Sequence, residues 1–530
     1  MGERQAGLNF GALTETRTET KLAWSAGPAG ALTALQWTPR TPDQGIGMTD
    51  RRAFVLFELN EVPLRVVRHF ADRNPGSAFA RILRAGQRWD TRAPDQGHLS
   101  PWITWPTLHR GVSSAQHHIV ALGQDVAETD RHFPPVWSLL AASGRRVGVF
   151  GSLHSYPLPA NLEPYDFYVP DTFAAGPEAK PAELSAFQRF NLKMVDRSGV
   201  NVSPGVPVRD ALGFLMRTLP AGIRPATLAK VARQLATERI WRERTGRRRT
   251  IQSLLSFDLF FAQLQSKKPD AAFYFTNHVA SSMHRFWPAT FTSDYEATRW
   301  SPEWVQRFSG ELNYAMSEAD QMLATLMAFA DRNPDYLVLV SGSMGQAAID
   351  EPDRQVRTQV LLRDVDKFLG QLGIEGRWER RRTMEPTYTL AFGDKGSADA
   401  FMESIARTAI GGRPIFNRRL DSTSVEFMVG HADLNEEELV VTIGNRSLGL
   451  AEAGLANVTI DDEVGAAAYH VPEGMLLAYD PRSDQGGAAA PDIVSTTRIA
   501  PTLLALQGVE RPAYMERPLE ELAVAELEPA

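Results

Sequence analysis

Four side chains in three separate segments are of types that could do chemistry together. They are one threonine and three histidines: Thr104, His278, His284 and His470. A threonine hydroxyl is a weak nucleophile at neutral pH and attacks a substrate only when a metal ion or a base activates it. Three histidines suit zinc with one open coordination position, and without a metal they can serve as general acids and bases. The simpler interpretation is a set of hydrogen-bonded histidines lining a crevice.

The elements that must position these side chains are strands of a parallel sheet. Continuous apolar runs, typical of strands buried on both faces, occur at Ala53–Leu59, Arg146–Ser152, Ala271–Thr276, Tyr336–Ser341 and Met475–Tyr479. Helical stretches lie between them, including Val136–Ser143 and Ser309–Arg332. This alternation predicts an α/β fold with a mostly parallel central sheet and helices on both faces. Ligands of such sheets bind beyond the carboxyl ends of the strands.

The order of these blocks resembles the type I phosphodiesterase and nucleotide pyrophosphatase branch of the alkaline phosphatase superfamily. The resemblance spans roughly residues 50–520. Its most specific part is the end, where His470, a Gly and a strand precede a helix containing Ala-Pro-Thr-Leu-Leu. The resemblance implies phosphoryl or sulfuryl transfer, in which two divalent cations, usually zinc, activate a Thr or Ser nucleophile. It places that nucleophile at Thr104, in a Thr-Trp-Pro turn, although a helix-capping role is the alternative for this residue.

The metal ligands of that family are only partly kept. Asn60 stands where the family has an Asp directly after the first strand, and Glu58 or Glu61 could substitute for it. Ala280 replaces the Asp of an Asp-x-x-x-His block whose His is His284.

The family's late ligands show the same partial loss. An Asp-His pair falls on Ser343 and Met344, whereas the late His is kept as His470. Two adjacent divalent cations need several carboxylates to offset their charge, and the matched positions supply none. We therefore do not expect a complete two-zinc centre. A single divalent cation, zinc or manganese, held by His278, His284 and His470 with Asn60 as a weak further ligand, is the arrangement that remains.

Further polar groups fall near the same edge of the predicted sheet. We consider four of them as substrate contacts: His154, Arg110, Arg285 and Ser343. His154 follows the second strand, and arginine forks match phosphate oxygens. Placement at the surface is the simpler interpretation for each arginine alone.

The length and the local composition predict a core with two insertions and an N-terminal extension. For this chain of 530 residues we expect a disordered extension at 1–47, an alkaline phosphatase-like core at 48–174, 266–364 and 466–530, a helical, partly basic cap at 175–265, and a small α+β insertion at 365–465. Met48, just before the first strand, could be the true start. Arg209–Arg249 holds 11 Lys or Arg against three acids. This cap is either a solvated helical insertion or a surface that attracts an anionic substrate or an acidic partner.

The overall composition excludes several classes of function. The chain has no cysteine, so disulfides and thiolate metal sites are excluded. The net charge of −7 gives no reason to expect nucleic-acid binding. No stretch approaches the roughly 18 apolar residues that a membrane span needs. The first 47 residues lack the apolar core of a signal peptide, so a cytoplasmic location is expected.

Three functions are consistent with these observations. The first is a phosphoester-cleaving hydrolase or transferase that uses Thr104 with a reduced metal site and takes a small anionic, phosphate-containing substrate. The second is a non-catalytic binding protein that keeps the fold and the crevice. The third is a metal-independent enzyme that uses the histidines as acid and base. Nothing in the sequence determines the substrate's identity or the oligomeric state.

Overall fold

The computed structural model describes residues 51–196, 219–296, 299–349, 356–460, 465–483, 486–490 and 492–522. The predicted disorder of residues 1–47 and the role of Met48 as a start lie outside these residues.

Twenty strands occur within the described residues, and they are numbered here in chain order. They are β1 (Ala53–Leu59), β2 (Gln87–Arg92), β3 (Val147–Phe150), β4 (Tyr165–Val169), β5 (Ala271–Thr276), β6 (Tyr336–Gly342), β7 (Gly345–Ala348), β8 (Thr358–Leu362), β9 (Trp378–Arg381), β10 (Thr387–Phe392), β11 (Thr408–Ile410), β12 (Arg413–Pro414), β13 (Phe416–Arg419), β14 (Ser424–Met428), β15 (Val440–Ile443), β16 (Arg446–Gly449), β17 (Leu455–Thr459), β18 (Ala468–Val471), β19 (Glu473–Tyr479) and β20 (Val494–Ser495).

The α-helices of the described residues are numbered in the same way. They are α1 (Leu64–Arg73), α2 (Ala78–Ala85), α3 (Pro101–Arg110), α4 (Ser114–His117), α5 (Ala127–His132), α6 (Val136–Ala142), α7 (Ser185–Asp196), α8 (Pro225–Ile240), α9 (Arg248–Lys267), α10 (His278–Thr290), α11 (Pro302–Phe308), α12 (Glu311–Arg332), α13 (Val365–Gln371), α14 (Lys395–Ala406) and α15 (Ile499–Leu506). Short 3-10 helices span Ala182–Leu184, Leu219–Ala221, Arg242–Arg247, Thr292–Asp294, Glu436–Glu438 and Thr496–Arg498.

The central sheet has eight strands in the order β20-β2-β19-β6-β1-β5-β3-β4. From β6 to β4 all neighbours are parallel, and β1 lies between β5 and β6. This confirms the predicted fold class. The run expected as a fifth strand, β19, is antiparallel to β6, with Met475 opposite Gly342. An antiparallel strand begins where the parallel strands end, so residues just before β19 reach the ligand-binding edge.

Both faces of the sheet are covered by helices because side chains of each strand alternate between two apolar clusters. Val55 and Phe57 of β1 pack in one cluster with residues of α1, α9, α10 and α12. Phe54 and Leu56 pack in the other with residues of α3, α6 and α15. Helix α9 falls in the segment expected as a cap, yet it covers the sheet. Its Phe260 stacks on Tyr274 of β5, with ring centroids 4.7 Å apart.

Residues 356–460, here called the small module, have an apolar cluster of their own. The module contains two four-stranded sheets, β13-β14-β10-β9 and β12-β11-β15-β16. It contacts the main part of the molecule through Arg418, whose Nη2 donates to the carbonyl of Val120 at 3.0 Å. In the chain it lies between β7 and β18, which pair with each other as an antiparallel ribbon. The two strands that flank the small module in the chain therefore lie side by side.

No helix in the described part of the chain has the length and apolar character to cross a membrane.

The packing of β3 on β4 generates a stability prediction. Gly148 of β3 is the register partner of Phe167 of β4, and a Cβ atom at Gly148 would overlap the buried Phe167 ring. We expect Gly148→Ala to destabilise the protein by about 1–3 kcal/mol, the usual cost of overpacking. Thermal unfolding would show this as a lower midpoint. Gly76→Ala is the matched control, since no atom lies within 4 Å of a Cβ there. Equal midpoints for both variants would contradict the packing argument.

Candidate functional site

Polar side chains gather at the carboxyl edge of the central sheet. Asn60 and Glu61 follow β1, Asn277 follows β5 and Ser343 follows β6. His470 reaches the same edge just before β19, as the antiparallel direction of that strand requires.

The centre of this edge is a carboxylate that faces two imidazoles. The Oε2 atom of Glu61 lies 3.0 Å from Nε2 of His284 and 3.3 Å from Nε2 of His470. The Glu61 side chain is 3% exposed, the His470 side chain 6% and the His284 side chain 23%. His284 is therefore the member of the group through which solvent or a ligand reaches it.

Backbone carbonyls fix the orientation of both imidazole rings. Nδ1 of His284 lies 2.7 Å from the carbonyl oxygen of Ala468, and Nδ1 of His470 lies 2.8 Å from that of Leu99. Each Nδ1 must therefore carry a proton and donate it, which leaves Nε2 facing the carboxylate of Glu61. A neutral ring would then turn a lone pair toward a carboxylate oxygen, which is unfavourable. The arrangement needs either a second proton on the rings or a cation between the three groups.

Glu61 is held in place from its backbone and from both carboxylate oxygens. Its φ of 59° lies in the left-handed region, which is uncommon for a residue other than glycine and often marks functional sites. Asn60 Nδ2 donates to Oε1 at 2.8 Å, and Gln346 Nε2 donates to Oε2. Gln346 is the register partner of His470 across the ribbon of β7 and β18. This ribbon thus supplies two of the side chains that contact Oε2 of Glu61, namely Gln346 and His470.

The protonation states of this group follow from competing effects. Burial acts to raise the pKa of Glu61, but the charges of His470 and His284 and their hydrogen bonds lower this pKa to well below its usual range. Burial acts to lower the pKa of His470, but Glu61 raises it above its ordinary value of 6.5. In the metal-free protein, these shifts extend the pH range over which Glu61 is an anion and His470 is protonated.

Thr104 lies in α3 beside this group and is fully buried. Its Oγ1 lies 2.8 Å from Oγ of Ser343 and 3.3 Å from the carbonyl oxygen of Ser100. The next residue, Trp105, donates from Nε1 to Oδ1 of Asn60 at 2.7 Å. Helix α3 is therefore tied to the end of β1 and to the end of β6 at one point.

His278 is not brought into the histidine group, which corrects the expected three-histidine arrangement. Its Nδ1 lies 2.8 Å from Oγ1 of Thr276 and its Nε2 lies 3.1 Å from the carbonyl of Ala315 in α12. Burial lowers the pKa of His278 to about 4, so the ring is neutral. It is the first residue of α10, and its ring reaches the backbone of α12. The third residue beside His284 and His470 is Glu61 instead.

Asn60 supports the group without facing it. Its amide oxygen accepts from Trp105, and its amide nitrogen donates to Glu61 and, at 2.7 Å, to Oδ1 of Asn277. Both ends of the Asn60 amide are thus bonded to protein side chains, and its oxygen keeps one lone pair, so the expectation that Asn60 is a weak ligand stays a prediction. Its role in the structure is to orient Glu61.

The four expected substrate contacts are dispersed. Ser343 lies against Thr104. His154 has Nε2 at 3.0 Å from the carbonyl of Trp102, and burial lowers its pKa to about 3. Arg110 is buried, and its Nη1 contacts the carbonyl of Phe133 at 2.5 Å and Asp130 at 2.7 Å. Arg285 bonds within α10 to the carbonyl of Ser281 at 3.1 Å. The contacts found for both arginines are with protein groups.

Sequence reasoning missed Gln346 and considered Glu61 only as a substitute. The available signal was position, since each stands within a few residues of the carboxyl end of a central strand. Glu61 is two residues beyond β1, and Gln346 is four residues beyond β6. The carbonyl groups of Leu99 and Ala468 that contact the two imidazoles could not be predicted from the sequence, because every residue has a backbone carbonyl.

The chain was compared with known proteins. No protein-family model matches it, and none of the curated proteins matches it significantly. Among solved structures, wild-type alkaline phosphatase PafA is similar at 13% identity and a TM-score of 0.43, covering 91% of this chain and 100% of that one. Human ectonucleotide pyrophosphatase/phosphodiesterase 5 is similar at 10% identity and a TM-score of 0.36, covering 88% and 97%.

An inactive form of the murine ectonucleotide pyrophosphatase/phosphodiesterase 5, in complex with AMP, is similar at 11% identity and a TM-score of 0.39, covering 88% of this chain and 97% of that one. These three chains carry the names of the superfamily that the sequence blocks resemble. At these identities and TM-scores the likeness supports no conclusion about the activity of this chain.

The group at Glu61 fits one divalent cation. Glu61, His284 and His470 each offer one ligand atom, and these atoms lie within 4.8 Å of one another. Two imidazole nitrogens and one carboxylate oxygen are a donor set of catalytic zinc sites. The carbonyl contacts of both Nδ1 atoms are the outer partners that metal-bound histidines usually have.

The same edge does not fit the two-cation centre of the resembled family. Ala280, Ser343 and Met344 are buried and offer no carboxylate, and the Asn60 amide is engaged. A second cation would add two positive charges without a compensating anion.

The coupling of Glu61 and His470 generates a pH prediction for metal-free protein. Because the folded pKa of His470 is raised, its stabilising effect is full below 6.5 and is lost as the pH rises through the folded pKa. We expect the thermal midpoint of EDTA-treated wild type to fall over this interval relative to Glu61→Gln, which lacks the charge that holds the proton. The control is His132→Gln, an exposed histidine of α5. A wild-type curve parallel to that of Glu61→Gln would refute the coupling.

Proposed function

We propose that this protein is a phosphoester hydrolase that uses one divalent cation held by Glu61, His284 and His470. The observation that carries the proposal is the convergence of two Nε2 atoms on one carboxylate oxygen, at 3.0 and 3.3 Å, with both Nδ1 atoms already bonded to carbonyls. The resemblance of the sequence blocks to phosphoester-cleaving enzymes supports the reaction class, and it is the cation site that departs from that family.

The cation, zinc or manganese, would neutralise charge on the phosphate and activate a nucleophile. The protein holds the three ligand atoms in fixed positions before a cation binds. Glu61 supplies the single negative charge, and its left-handed backbone with two amide donors fixes the carboxylate. The two imidazoles cannot rotate without losing their carbonyl bonds.

Thr104 is the nucleophile candidate in this proposal. Its hydroxyl oxygen lies 2.8 Å from the hydroxyl oxygen of Ser343, and either hydroxyl can donate the hydrogen bond between them. Both residues are buried, so water is excluded from the hydroxyl, and a phosphoester must enter from the side of His284, the more exposed ligand. The substrate class in this proposal is a small anionic phosphoester, whose charge the single cation would neutralise.

One observation favours a second candidate, a binding protein without catalysis. The Thr104 hydroxyl has no exposed surface and already has two partners, so it is poorly placed for attack. In that case the cation group would hold a phosphate ligand without cleaving it. The two functions predict different activities for Thr104 variants, but both predict that the protein binds one cation.

The cation prediction concerns three matched histidine variants. Purified protein should contain close to one zinc or manganese per chain by elemental analysis. His284→Gln and His470→Gln should bind that metal at least about tenfold more weakly in calorimetric titration, because each removes a ligand atom. His278→Gln is the control, being a buried histidine outside the group. Retention of metal in His284→Gln and His470→Gln would refute the assignment, and loss of metal in all three variants would restore the three-histidine site.

The nucleophile prediction concerns Thr104. With bis(4-nitrophenyl) phosphate as the probe, Thr104→Ala should lower kcat by roughly 10³-fold or more while the metal content stays unchanged. Thr104→Ser should retain part of the activity because it keeps a hydroxyl. Thr107→Ala, also buried in α3, is the control for a merely structural effect. Turnover by Thr104→Ala at the wild-type rate would exclude the nucleophile role, and metal binding with no turnover by the wild type would favour the binding protein.

A further inference from the structure

Helix α8 packs Leu228 and Val231 on the core, but it leaves two further apolar residues near its C-terminal end exposed. The most buried residues of this helix are Thr227, Gln234 and Glu238, all of them polar. Leu235 is 48% exposed and Ile240 at its end is 71% exposed. A surface helix ordinarily turns such residues toward the core.

The turn after α8 extends this apolar surface. Trp241 is 44% exposed, and its ring stacks under the guanidinium of Arg244, which lies 4.6 Å from the ring centroid. Large apolar residues exposed singly are unremarkable, but Leu235, Ile240 and Trp241 lie within two helical turns of one another. Water contact at all three is unfavourable, which indicates a binding surface.

The charges that remain on this surface are positive. Four basic residues of the segment form ion pairs with the protein body: Arg224 with Asp258, Lys230 with Glu318, Arg247 with Glu311 and Arg248 with Glu238. Arg233, Arg239 and Arg242 are exposed and form no ion pair with any carboxylate that the structure describes. Of the carboxylates in described residues 219–249, Glu238 is buried and paired, and Glu243 is half-buried.

We propose that the outer surface formed by Leu235, Arg239, Ile240, Trp241 and Arg242, here called the basic face, binds the surface of an anionic lipid membrane. Tryptophan and arginine side by side are typical of the membrane interface, where apolar side chains enter the headgroup region and arginines contact lipid phosphates. A purely acidic protein surface would match the arginines and leave Ile240 and Trp241 without apolar partners. A bilayer surface satisfies both.

The basic face is a separate feature from the cation site. It is connected to the site helix through Arg249 of α9, whose Nη1 donates to Oγ of Ser281 in α10 at 2.7 Å. Binding at the face leaves the Glu61 group untouched, so membrane binding and metal binding can each fail alone.

Flotation of the full-length protein with lipid vesicles tests the proposal. Vesicles of phosphatidylcholine with added phosphatidylglycerol should bind the protein, in a way that weakens as salt is raised, and vesicles of phosphatidylcholine alone should not. Ile240→Ser combined with Trp241→Ser, and separately Arg239→Glu combined with Arg242→Glu, should each lower the vesicle affinity at least about tenfold.

The control makes the same kinds of change elsewhere. Phe416→Ser with Arg407→Glu alters an exposed phenylalanine and an exposed arginine of the small module and should leave vesicle binding unchanged. All variants should keep the wild-type thermal midpoint and metal content.

Three outcomes would overturn the proposal. The first is no binding to anionic vesicles, or binding that both double variants retain. The second is a concentration-dependent dimer in light scattering that Ile240→Ser with Trp241→Ser abolishes, which would assign the face to a second copy of this chain. The third is binding to soluble poly-glutamate as tight as to vesicles and unaffected by the serine variants, which would assign it to an acidic protein.

Discussion

A negative charge buried at the end of a central strand is the constraint on which the rest of the site depends. Removing a carboxylate from water is costly unless opposite charge and hydrogen bonds replace the lost hydration. At Glu61 these are supplied by His284, His470, Gln346 and Asn60. Asn60 is the neighbouring residue, whereas His284, Gln346 and His470 come from distant parts of the chain, so the carboxylate is satisfied only when the sheet, α10 and the ribbon are all in place.

The same constraint explains why this edge differs from the two-cation centre of the resembled family. A site with one carboxylate keeps one net positive charge when it holds one divalent ion or two added protons, but it keeps three when it holds two divalent ions. The family's further Asp positions are filled by Ala280 and Ser343 and its His position by Met344, and all three residues are buried and uncharged. Ser343 uses the vacated position for a hydrogen bond to Thr104. The chemistry proposed for this protein follows from that reduced charge.

Much of the fold could be predicted from the sequence because the central strands are continuous apolar runs. Ala53–Leu59 and Ala271–Thr276 coincide with β1 and β5, and the edge where they end contains the candidate site. The direction of β19 could not be predicted, since an apolar run is the same in either orientation. The choice of His470 and His284 followed from the resemblance. His278 was wrongly expected in the histidine group because it directly follows a central strand. The side chain of such a residue can instead pack beneath the helix that begins there.

The ribbon of β7 and β18 sets the order in which the site can form. Gln346 leaves the ribosome before the small module, and His470 leaves after it. The two strands can pair only when the intervening module has been synthesised and its ends have been brought together, a closure over a long loop. Until then Glu61 stays at the end of β1 without its second imidazole. A nascent chain that stops within the module therefore has the carboxylate and one histidine but lacks His470, so the group at Glu61 is completed only after the module has been synthesised.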